Sequence, residues 1–233
     1  MFHSLEQFIL SLLQILYQLT QSYGWSIVIL TALIKLVFYP LTKKQFSSMK
    51  KMKELQPALK EIQTRNKQNP QQLQKEMMEL YRKHKVNPLA GCLPLLVQMP
   101  FLIGLFLALN GQTFKEIIQT PGVQASFLWM TDISKPDPLN LLALVGLGSL
   151  FKLSILPILV AVSTYLTQKM MSGSGADPQT EKMLSIFIPG MMFFVSVNLP
   201  SGVLIYWVVS NFATVLQQMQ MMAASNQSTA VSS

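Results

Sequence analysis

The sequence predicts an all-α integral membrane protein. Five transmembrane helices run from an outside N-terminus to an inside C-terminus, with an interfacial amphipathic helix before them and a cytoplasmic helical hairpin after the first. Two observations lead there. Half of the 233 residues are hydrophobic and only 12% are charged, too few charges to clothe a soluble domain. The charge is also confined: residues 43–85 carry twelve Lys and Arg against four Glu, which accounts for the whole net charge of +8, and the rest of the chain sums to zero. A nucleic-acid-binding fold spreads basic residues over its surface, so no specific nucleic-acid sequence is expected as a partner.

Residues 1–22 read as an extracytoplasmic interfacial helix. Leu5, Phe8, Ile9, Leu12, Leu13, Leu16 and Leu19 share one stripe, Ser4 and Gln7 stand in capping-box positions, and Gln14, Gln18 and Gln21 interrupt the apolar run. The first transmembrane helix covers 23–42. The basic segment 43–91 follows, and because Lys/Arg-rich loops stay cytoplasmic it sets the orientation of every later span. Asn66–Pro70 divides this segment into two arms. Met52, Leu55, Leu59 and Ile62 on one and Leu73, Met77, Leu80 and His84 on the other form the seam of an antiparallel hairpin, with Pro57 expected to break or kink the first arm. Met49, Met52, Met77 and Met78 are candidates for a soft, adaptable surface.

Transmembrane helices two to five occupy 92–222, at about 92–110, 153–170, 183–199 and 203–222. Asn198–Gly202 is short enough to force the last two into an antiparallel pair. Residues 139–152 are apolar but broken by Gly146, Gly148 and Lys152, and read as an interfacial or re-entrant lead-in; 223–233 reads as a short disordered cytoplasmic tail. No cleavable signal peptide is expected at the start.

Catalytic chemistry finds no support. Cys92 is the single cysteine, His3 and His84 stand far apart without ligand-spaced partners, and no phosphate-loop, dinucleotide or zinc-protease motif occurs. The chain is expected to be no enzyme and to need no cofactor or metal.

What the spans do carry is polar. Lys35 stands eight residues before Lys43, about 12 Å deep on a helix, with Thr31 and Tyr39 one turn either side. The last span lines up Trp207, Ser210, Asn211, Thr214 and Gln218 on one face; Gln98 adds an amide between Pro94 and Pro100, and Ser163, Thr164 and Thr167 add hydroxyls. The hydroxyls of the third span are expected to bond carbonyls of the preceding turn, and Gln98 suits helix–helix bonding and ligand contact equally. A lysine can also snorkel to headgroups along its stem. With no acidic residue in any span, however, Lys35 needs water or a transient ligand around it, and a functional role is the stronger reading.

Several ordered motifs carry a family resemblance: Tyr39-Pro40-Leu41-Thr42, Leu55-Gln56-Pro57, Val86-Asn87-Pro88-Leu89-Ala90-Gly91-Cys92-Leu93-Pro94, Gln98-Met99-Pro100, Pro200-Ser201-Gly202 and Ser210-Asn211. Over about residues 4–222 the chain resembles the bacterial YidC-type membrane protein insertases, kin to the mitochondrial Oxa and chloroplast Albino proteins. The resemblance implies a five-helix core around a hydrated groove open to cytoplasm and lipid and closed toward the outside. Lys35 matches the family's basic groove residue, commonly arginine, so a point-charge role carries over and a bidentate one does not. Gln98 matches its groove glutamine and Trp207 its groove aromatic. Implied partners are nascent membrane-protein clients and the lipid bilayer, with the ribosome and a Sec-type translocon as further candidates. Against that resemblance the chain is expected to lack the large N-terminal domain of Gram-negative members. Its tail after Met222 is expected to be short and uncharged where some members carry a basic extension that helps hold the ribosome, so ribosome docking through the tail is not expected.

The expected activity is insertion without chemistry in the bacterial plasma membrane. Lys35 attracts a client's polar or acidic flank into the groove, and the apolar stretch then partitions into lipid. A secondary transporter or channel is the main rival, disfavoured because the sequence shows neither internal repeats nor membrane-embedded acidic relays. A passive scaffold is the third reading.

Overall fold

A computed structural model describes residues 2–87, 93–139, 154–171 and 178–231. The described residues form helices and no strand. In chain order these are α1 (Phe2–Thr20), α2 (Tyr23–Val37), α3 (Tyr39–Arg65), α4 (Pro70–Lys83), α5 (Leu93–Asn110), α6 (Gln112–Gln119), α7 (Ile155–Met171), α8 (Pro178–Ser196) and α9 (Ser201–Val231). The motif stretch Pro88–Cys92 and the lead-in from 140 onward lie outside the described residues.

α9 is the hub of the bundle, packing on α2, α5 and α7, while α8 packs on α7 and α1 lies across α2 and α5. The main core gathers Ile9, Leu13, Ile27, Leu109, Phe114 and Leu204, each nearly or wholly shielded. Small residues let the helices approach. A Cβ on Gly104 of α5 would stand 2.9 Å from Ile9 of α1, and one on Gly202 would meet Leu109 at 2.6 Å and Ile27 at 3.0 Å.

α1 starts at Phe2, so Ser4 lies inside the helix and the capping box does not form. Its apolar residues divide between two faces. Ile9, Leu10 and Leu13 are buried against the bundle, whereas Phe8, Ile15 and Leu19 point outward. The single stripe expected from spacing is therefore two adjacent ones, because the bundle and the outer surroundings each take an apolar face. The chain then turns by 115° into α2.

Pro57 does not interrupt α3, which runs through it to Arg65. Proline withholds one backbone donor, and the buried Leu55 and Leu59 pin the helix on both sides. The hairpin forms as an α3–α4 pair with a turn at Asn66–Asn69, where the Asn69 side chain accepts from Gln72 N (3.1 Å) and Pro70 opens α4. Gln72 and Arg65 both donate to Glu76, holding its carboxyl below the usual carboxylate range. Its apolar seam comprises Met52, Leu55, Leu59, Tyr81 and Val86, flanked by Met77 and Leu80. His84 is exposed rather than part of that seam: α4 ends at Lys83, and the chain turns so that Val86 fills the place. The methionines do not share one open surface either. Met49 and Met52 are buried, and of the four only Met78 is plainly exposed.

The segment after α5 is folded rather than a plain loop. α6 packs Phe114 into the main core, and residues 120–137 bind the ends of other helices. Asp137, 3% exposed, accepts from Trp129 Nε1 (3.0 Å), Leu139 N (3.1 Å) and, at the start of α7, Leu156 N (2.9 Å). The Lys135 carbonyl accepts from Ser201 N (2.8 Å) and Ser201 Oγ (2.7 Å), and the Ile133 carbonyl from Gly202 N (2.9 Å), so the start of α9 is tied to the same short stretch.

Among the described residues no single helix is long and apolar enough to cross a membrane alone. α1 with α2, and α5 with α6, reach the length as pairs bent by 115° and 54°. α9 continues to Val231, so the tail expected to be disordered from 223 is helical through that residue.

Candidate functional site

The polar face of α2 meets those of α5 and α9 around Lys35. Its Nζ donates to Thr214 Oγ1 at 2.9 Å and to Gln98 Oε1 at 3.5 Å, both neutral acceptors. Gln98 and Ser210 bond reciprocally, Gln98 Nε2 to Ser210 Oγ at 2.7 Å and Ser210 Oγ to Gln98 Oε1 at 3.0 Å. Thr214 passes its own proton to the Ser210 carbonyl (2.8 Å), which leaves its oxygen free to accept from the lysine. Gln217 Nε2 donates to the Lys35 carbonyl (3.3 Å), next to the point where α2 gives way to α3 at Phe38. Among the described residues no carboxylate pairs with Lys35; the ion pairs present are His3–Glu6, Arg65–Glu76 and Lys135–Asp132.

A cleft runs from Lys35 toward the hairpin. Gln98 and Thr214 flank the lysine, and Thr42, Gln45 and Gln218 continue the polar lining. Apolar walls come from Ile34, Phe38 and Phe101, the two rings meeting edge to face with centroids 5.8 Å apart. On the α2 side away from the hairpin, Tyr23, Ile27, Leu30 and Thr31 are buried in the bundle.

The seven sequence candidates separate into three groups. Lys35, Gln98 and Ser210 come together. Asn211 and Trp207 form a second polar cluster against α7: with its oxygen turned to the surrounding donors, Asn211 accepts from Thr164 Oγ1 (3.1 Å) and Trp207 Nε1 (3.2 Å). Thr31 and Tyr39 join neither. The Thr31 hydroxyl is fully buried and donates to Ile27 O in its own helix (2.6 Å), and Tyr39 is not part of the cleft lining. In the third expected span Ser163 and Thr167 bond carbonyls of the preceding turn as expected, while Thr164 reaches Asn211.

Thr42 and Gln45 escaped the sequence reading, although a signal existed. Positions 35, 38, 42, 45 and 49 repeat at helical spacing, a pattern visible only if the helix is carried past Pro40. Lys53, also missed, donates to the Met170 carbonyl at the end of α7 (3.0 Å).

Fold and cleft define a class: among the described residues, a helical bundle that sets a lysine among neutral polar groups in a cleft. The chain belongs to the 60Kd inner membrane protein family, whose profile matches residues 15–228, and it is accordingly a bacterial inner-membrane protein. Similar relatives are the membrane protein insertases YidC of Citrifermentans bemidjiense, 39% identical over 207 residues covering 89% of this chain and 34% of the relative, and of Wolinella succinogenes, 39% identical over 208 residues covering 89% and 35%. The chain thus spans about a third of the length of these relatives. Its fold matches an active YidC insertase crystal structure with a TM-score of 0.66 at 26% identity, over 92% of this chain and 44% of that one.

Proposed function

We propose that the chain is a membrane protein insertase that receives hydrophobic client segments in the Lys35 cleft and releases them into the bilayer. The observation that carries this reading is the lysine itself, a cation set between three helices with neutral partners only. Such a charge costs several kcal/mol in a dry apolar setting, roughly 2.5 to 3.5 on insertion scales, unless water or an anionic ligand reaches it. Nascent membrane-protein clients fit the arrangement because an acidic or polar flank is the part of a client that lipid opposes. The flank finds a charge and a wettable wall in the cleft, and the apolar stretch moves sideways into lipid.

In this reading five spans cross the membrane with the N-terminus outside and the C-terminus inside, and α1 lies at the outer interface. The first span combines α2 with the start of α3. Support comes from apolar side chains left uncovered: Trp25, Ile29, Leu33 and Leu36 along α2, and Ile186, Phe187, Phe194 and Val195 on α8. Outward apolar faces of this kind suit lipid. The basic hairpin is cytoplasmic, with a ribosome or a Sec-type translocon as candidate partners.

The test is access. Lys35→Cys in a Cys92→Ser background is expected to react with a membrane-impermeant thiol reagent added from the cytoplasmic side of oriented vesicles and not from the outside. Labelling from the outer side contradicts a cleft closed there, and protection from both sides contradicts a hydrated one.

The hairpin acts in recruitment, and its apolar cluster is separate from the main core. Replacing residues 51–82 with a Gly/Ser linker is expected to leave the bundle folded in detergent by circular dichroism while reducing client capture. Unfolding of the bundle would instead make the hairpin, through contacts such as Lys53 on α7, a structural part.

A further inference from the structure

One turn of α9 beyond Thr214, Gln218 lines the cleft at 5% exposure, and its Oε1 has no hydrogen-bond partner. A buried carboxamide oxygen without a donor is destabilising, and native proteins keep such groups where water or a ligand completes them. The neighbouring Gln217, whose Oε1 also lacks a partner, is not part of the cleft lining. Across the cleft from Gln218, Thr42 donates its hydroxyl proton to the Phe38 carbonyl (3.1 Å) and so faces a ligand as an acceptor.

The cleft is therefore polarised along its length. Its deep end offers the ammonium of Lys35, a donor with two of its three hydrogens engaged. The end toward the hairpin offers acceptor oxygens. A complementary ligand places an acceptor deep and an N–H group about one helical turn, ~5.4 Å, nearer the cytoplasmic hairpin. An extended polypeptide does this with its own backbone, since two residues span about 6.8 Å and carry both carbonyl and amide groups.

We infer that Gln218 is a binding residue for the client main chain, accepting a backbone N–H of an extended flank while Lys35 holds a carbonyl or carboxylate of the same segment. This rests on the insertase reading above and adds to it a recognition mode independent of client side chains. It accounts for an unpaired amide oxygen in a cleft where charge attraction alone asks only for Lys35.

The experiment uses the full chain in phosphatidylethanolamine and phosphatidylglycerol vesicles and a synthetic client with a Leu/Ala span and an uncharged Gly/Ser leading flank. Flank amides are replaced one at a time by esters, which removes an N–H without altering any side chain. On the unmodified protein, esters at one or two adjacent flank positions are expected to slow insertion roughly fivefold, the worth of one neutral hydrogen bond. Gln218→Met is expected to slow the all-amide client by a similar factor and to show no further loss with those esters. A flat response to the ester series on the unmodified protein overturns the inference, with water alone completing Gln218. Losses that multiply between the esters and Gln218→Met overturn it as well. The same chain with an acidic-flank, all-amide client serves as reference: if that client is not inserted, the insertase reading itself fails.

Discussion

Lys35→Glu is expected to lower insertion of clients with acidic leading flanks by roughly thirtyfold, about 2 kcal/mol in the barrier. Two unit charges about 4 Å apart at an effective dielectric near 20 interact by about 4 kcal/mol, and reversing the lysine turns attraction of that kind into repulsion. Half of that value is a conservative expectation for a partly hydrated cleft. Lys35→Arg keeps the charge and is expected to retain insertion, because the present partners, Thr214 Oγ1 and Gln98 Oε1, are neutral acceptors that a guanidinium can also meet. Lys35→Gln separates the two contributions of the side chain. If charge matters, acidic-flank clients are lost and neutral ones spared; equal performance of Lys, Gln and Glu forms over clients of graded charge would leave hydration as the whole effect.

Asp137→Leu should give the largest loss of stability, about 4 kcal/mol, read as a drop in Tm in detergent. The substitution strands the indole N–H of Trp129 and the backbone N–H groups of Leu139 and Leu156 beside a buried apolar side chain. Each unsatisfied buried donor costs about 1–3 kcal/mol, with partial relief where the segment can open to water. Asp137→Asn keeps one acceptor oxygen and is expected to lose about half as much. A Leu variant melting with the unmodified protein would show that the 120–137 segment is not holding α7 in place.

Where one physical signal dominated, the fold was legible in the sequence. The hairpin is written in Asn66–Pro70, where a turn, an N-cap and an N1 proline coincide, and in apolar spacing that needs no knowledge of the rest of the bundle. Lys35, Gln98 and Ser210 were found for a related reason, since polar residues in apolar helices are conspicuous. Pairing across helices was harder to see. Trp207, Ser210 and Asn211 share a face of α9, yet α5 claims Ser210 and α7 claims Asn211, and helical spacing does not reveal which neighbour covers which part of a face. Thr31 looked like a groove residue by register, whereas its hydroxyl had a carbonyl within reach in the previous turn. Pro57 is expected to break or kink the first arm, yet α3 passes through it, whereas Pro40, placed inside the first span, instead opens α3. Asp137 could not be found at all from spacing, since its donors lie 8, 2 and 19 residues away, at no repeating interval.

Residues 133–137 hold the N-terminal ends of both α7 and α9 through one short stretch of chain. That shared anchorage makes the held ends a common pivot. α7 has 17 residues, a lever of about 25 Å, so a tilt of roughly 10° at the pivot shifts its far tip by about 4 Å while hardly moving the near end. The tip that travels farthest is where Lys53 of the hairpin grips the Met170 carbonyl, so whatever pulls on the hairpin also pulls on the longer arm of the lever.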